Sequence, residues 1–184
     1  RLRKAGREDG PEIGWLGETF TPLAVALMGA SMLGFSRENT LNALGIGYAQ
    51  CAGNAQANVD GTFTVTLQQG LGAKAGVLAL SLADEGLTGA REPLEGKYGF
   101  YSLYMRGNFN PEVLLDGLGK DFEGMNISTK FLPCCQGNHA AIEGVLKLAA
   151  QHNIKSNDID NILIRTNSFF TSILATQDKM NPKD

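Results

Sequence analysis

Along the first two thirds of the chain, apolar positions recur mostly at three- and four-residue spacing, the period of a helix with one buried face. Thr21-Pro22 opens the first such run, a capping residue followed by proline at the first helical position. Gly34 is expected to stop it. Ser36 is expected to cap a second helix running to about Gly53, with Leu41, Leu44, Tyr48 and Cys51 on one face. A third helix is read from Leu67 to Ala83, ended by Gly86 in the left-handed conformation. Asn110-Pro111-Glu112 starts a short fourth. Residues 1–20 are charged and Gly-rich without clear period, and read as a loop around Trp15.

Past Gly119 the period changes. Ile127, Thr129 and Phe131 alternate with Ser128 and Lys130, the pattern of a half-buried strand. Pro133 cannot donate to a ladder, so the strand should stop there. Asn138 is placed to cap a helix whose apolar residues Ile142, Val145, Leu146 and Ala149 fall at helical spacing. Asn161 to Thr166 reads as another strand. Gly117, Gly119 and Gly124 mark a soft boundary. The expected fold class is mainly α with an α+β tail, divided into a partial helical domain over 1–120 and an α+β segment over 121–184.

The first three helices are rich in small residues, among them Ala26, Gly29 and Ala30, Ala43, Gly45 and Gly47, and Gly70, Gly72, Ala75, Gly76 and Ala79. A glycine inside a helix costs roughly 1 kcal/mol against alanine, so this many imply backbones in close contact. Gly70-Leu71-Gly72-Ala73-Lys74-Ala75-Gly76 follows a strand-like Thr62–Leu67 and imitates a dinucleotide loop. Its spacing is GxGxxxG rather than GxGxxG, and no acidic-ended second strand completes a βαβ unit. Helix packing is the better reading.

Composition narrows the function classes. With 43% hydrophobic and 19% charged residues, a net charge of −3 and a pI near 5.4, the chain reads as globular. Nothing in that balance attracts nucleic acid or an anionic membrane. Three cysteines, two of them adjacent, make no disulfide framework, and a reducing, cytoplasmic setting is expected. No apolar run reaches the roughly 18–20 residues that a span requires, and Arg1-Leu2-Arg3-Lys4 has no apolar core behind it to make a signal peptide. Cys134-Cys135 with His139 is not read as a metal site, because adjacent thiols diverge and no second Cys/His pair completes four ligands. Cys51 reads as a small core residue, and His152 as a partner of its helix dipole.

Chemistry concentrates in Thr129-Lys130-Phe131-Leu132-Pro133-Cys134-Cys135-Gln136-Gly137-Asn138-His139, which holds a lysine, two thiols and a histidine within eleven residues. Lys-x-x-Pro, a short polar turn, a histidine and an apolar helix together resemble the MmgE/PrpD family, which includes 2-methylcitrate dehydratase, cis-aconitate decarboxylase and iminodisuccinate epimerase. Other segments agree in order: Leu33-Gly34-Phe35 then Ala43-Leu44-Gly45-Ile46, Gly86-Leu87-Thr88-Gly89, Leu94-Glu95-Gly96 then Gly99-Phe100, and Asp158-Ile159-Asp160-Asn161-Ile162. The resemblance runs from about Trp15 to Asp184. It implies part of an all-helical domain that forms a homodimer, followed by the start of a smaller α+β lid, and hence an internal fragment.

It also implies a cofactor-free, metal-free lyase resembling 2-methylcitrate dehydratase, a hydro-lyase that abstracts a proton next to a carboxylate of a small polycarboxylate. An epimerase using the same proton abstraction is the alternative, and a non-catalytic paralogue or fragment that only dimerises or binds acids is another. The fragment alone is expected to be inactive. By this resemblance Lys130 is the cation that pairs substrate carboxylate and stabilises enolate-like charge, and His139 the acid or orienting donor. Cys135 and Gln68 stand as substrate-binding positions where decarboxylase-like members carry histidines, and Val65 stands where they carry a second lysine. Gly14-Trp15 is followed by Leu16 rather than by a histidine, and the family's Asp/Thr/His cluster would fall before Arg1. These departures make decarboxylation the least expected chemistry.

Overall fold

The computed structural model describes residues 2–5, 14–15, 17–167 and 171. Its helices are α1 (Leu2–Ala5), α2 (Thr21–Met32), α3 (Arg37–Tyr48), α4 (Gln56–Asp60), α5 (Thr64–Asp84), α6 (Phe100–Tyr104), α7 (Glu112–Leu115) and α8 (His139–His152). Short 3-10 turns cover Gly17–Phe20, Glu123–Asn126, Gln136–Asn138 and Ser156–Asp158. The chain forms two compact units, one reaching Asp121 and one beginning at Phe122. The fold is mainly helical.

In the first unit α2, α3 and α5 pack against one another around Ala26, Ala30, Ala43, Ile46, Ala79, Leu80 and Ala83. Small side chains set that spacing. A Cβ on Gly76 would stand 2.5 Å from Val25 Cβ and 2.9 Å from the Pro22 carbonyl oxygen, and one on Gly72 would stand 2.8 Å from Thr21 Cβ. Gly72 and Gly76 of the GxGxxxG stretch therefore lie on the buried face of α5, Gly70 is exposed, and the stretch makes no loop. Gly45 meets the loop after α5 in the same way, where its missing Cβ leaves room for the backbone of Gly89 and Ala90. The Asn42 side chain accepts the Gly89 N–H there at 3.3 Å.

A second cluster of the same unit is aromatic. Trp15, Phe20, Phe100, Tyr101 and Met105 are buried together with Leu23, Leu44 and Cys51. Phe100 stacks on Tyr104 with centroids 4.7 Å apart and lies 4.5 Å from Phe20. Polar tips find carbonyls at the margin: Trp15 Nε1 donates to Tyr104 O and the Tyr104 hydroxyl to Cys51 O, both at 2.8 Å. Burial pushes the Cys51 thiol up to about 12 and the Tyr101 hydroxyl likewise to about 12. Cys51 is the core thiol expected, although it lies past the end of α3 rather than on its face.

Several local expectations are corrected. Thr21 is the first residue of α2 and not its cap, because the 3-10 turn Gly17–Phe20 runs straight into the helix. Ser36 does cap α3, its hydroxyl accepting the Asn39 N–H at 3.1 Å, but the helix ends at Tyr48 instead of near Gly53. Thr64–Leu67 is the first turn of α5, and not strand. Gly34 (φ 68°) stops α2 as expected, and Gly86 (φ 88°) holds the left-handed position expected after α5. Asn110 accepts the Glu112 N–H at 3.0 Å ahead of α7.

In the second unit, the strands expected over 127–131 and 161–166 are not formed. Both segments are irregular, and no strand ladder exists among the described residues. A strand exists only through its ladder, and a half-buried pattern with no neighbouring strand to pair with stays as coil. Asn138 occupies the N-cap position of α8 but makes no capping bond with its side chain, since the turn Gln136–Asn138 already supplies helical backbone before His139. Most of the charged opening segment (residues 6–13), Leu16 and the ending Lys179–Asp184 lie outside the described residues.

Candidate functional site

The chemistry-bearing corner sits in the second unit. Its backbone is turned by Pro133: the Cys134 N–H donates to Leu132 O at 2.8 Å, a three-residue turn centred on the proline. That turn folds Lys130, Phe131, Leu132, Pro133 and Cys134 around a groove of about 510 Å³. Gln136 Nε2 donates to Ser128 Oγ at 3.2 Å and ties the two flanks of the corner together. The chain then enters the turn Gln136–Asn138 and α8.

Lys130 is exposed, and among the described residues no hydrogen bond or ion pair engages its ammonium. His139 is 8% exposed, and its Nε2 is buried without a hydrogen-bond partner. Phe131 lines the groove beside Lys130 and meets the His139 ring edge-on, with centroids 4.8 Å apart. His139 itself does not line the groove; it meets one wall residue of it, Phe131, which the alternating pattern marked only as apolar.

The two thiols differ. Cys134 is half-buried on the groove wall, whereas Cys135 is exposed and opens the turn that leads to α8. Gln68 belongs to the first unit. Its side-chain oxygen accepts the Asn54 N–H at 2.7 Å and its amide donates to Asn54 O at 3.2 Å, so both ends are engaged by one backbone residue. Val65 lies one turn earlier on α5. His152 is in the last turn of α8, where a cation is favoured by the helix dipole. Among the described residues no group of three or more His, Cys, Asp or Glu side chains is placed to hold a metal ion. No helix among them is long and apolar enough to cross a membrane.

The family model for the MmgE/PrpD N-terminal domain matches residues 6–112, more than half of the chain. The chain belongs to the MmgE/PrpD family. A cis-aconitate decarboxylase-like protein of Aspergillus oryzae is 31% identical over 142 residues, covering 73% of this chain and 29% of that protein. Cis-aconitate decarboxylase of Aspergillus terreus is 29% identical over 166 residues, covering 80% of this chain and 34% of the enzyme. The chain therefore spans about a third of the length of these curated relatives. The matched domain comprises the small-residue helix packing of α2, α3 and α5, and the groove at Lys130 lies beyond it in the second unit.

Proposed function

We propose that this MmgE/PrpD chain contributes to a cofactor-free lyase acting on a small polycarboxylate of the citrate or aconitate type. The observation that carries the reading is an ammonium, Lys130, unengaged among the described residues on an open groove, whose wall residue Phe131 covers a buried imidazole, His139, with an unpartnered Nε2. An ammonium in a groove pairs a carboxylate, and the pairing strengthens as negative charge grows on the adjacent carbon in the transition state. An imidazole nitrogen left free accepts or returns the proton at that carbon. In the hydro-lyase form, the proton next to the carboxylate is removed, the neighbouring hydroxyl leaves as water, and an unsaturated acid results.

Decarboxylation is a second reading, favoured by the names of the two Aspergillus relatives. Against it stand Val65, Gln68 and Cys135 at positions where decarboxylase-like members resemble one another in lysine and histidine. The two reactions leave different products from one substrate. Proton NMR of the protein carrying this chain, incubated with cis-aconitate, is expected to show the hydrated tricarboxylate and no decarboxylated acid. Release of carbon dioxide with a decarboxylated product would assign the second reading. Lys130→Ala is expected to weaken citrate binding by about tenfold or more, with Lys130→Arg restoring part of it. Unchanged affinity in Lys130→Ala would remove the groove from the reading altogether.

A further inference from the structure

We draw no further inference here: the strongest candidate, the surface cleft of about 520 Å³ between the first turn of α3 and the loop after α5, lined by Arg37, Glu38, Arg91 and Glu92, rests on exposed side chains of opposite charge beside a helix N-terminus, with no second observation that points to a ligand.

Discussion

His139 is the residue at which stability and the proposed function pull in opposite directions. A buried nitrogen without a hydrogen bond costs about 1–3 kcal/mol of desolvation, and the cost disappears if an apolar group of similar shape fills the space. His139→Leu is therefore expected to leave the thermal midpoint of the chain unchanged or raise it, while lowering affinity for citrate in the protein that carries the chain. A melting curve and a calorimetric titration read the two effects separately. Destabilisation by more than about 1 kcal/mol would mean that the imidazole is a structural residue, the packing role that its place at the start of α8 also allows. The sequence named Lys130 and His139 because charged and titratable side chains stand out in any pattern. It could not name Phe131 as the neighbour of the His139 ring, since an edge-on contact depends on the path of the chain through the turn at Pro133 and leaves no trace in residue spacing.

At the scale of elements, glycines within one helix have opposite expected effects. Gly76 of α5 faces Val25 and the Pro22 carbonyl, and an added Cβ must displace backbone as well as side chain. Gly76→Ala is expected to destabilise by about 1–3 kcal/mol through overpacking. Gly70 has nothing within 4 Å of its would-be Cβ, so Gly70→Ala is expected to stabilise by up to about 1 kcal/mol through helix propensity. Urea unfolding of the two variants checks both signs, and equal effects would show that α2 and α5 are not in close contact. The small-residue pattern made this packing legible before any coordinates, as did Ser36 for the start of α3 and Gly86 for the end of α5. Short helices were harder. α6 is Phe-Tyr-Ser-Leu-Tyr, five residues with aromatic and polar positions too few to establish a period, held by the cluster around Phe100. The misread strands share one cause: alternation describes a face, but strand formation needs a neighbour, and Ile127–Phe131 has none among the described residues.

For the whole molecule, the apolar surface left open is the feature with the clearest consequence. In the first unit, Met28 and Met32 of α2 are 59% and 79% exposed, and Leu71 and Val77 of α5 are 51% and 56% exposed. Those helices bury one face against each other and present a second apolar face to solvent, as close-packed small-residue helices do when they have more neighbours to meet. In the second unit His139 is the only buried residue among those described, and Phe122, Met125, Phe131 and Leu163 are each about two-thirds exposed or more. Surfaces of this kind drive association, and a self-complementary patch gives a closed dimer first. Sedimentation velocity of the isolated chain is expected to show a coefficient that rises with concentration in the micromolar range. Met32→Glu and Leu71→Glu should each shift it toward the monomer, because a charge on an exposed apolar face opposes association without disturbing the core behind it. A concentration-independent monomer, with both variants indistinguishable from the wild type, would mean that α2 and α5 have all the neighbours they need within this chain.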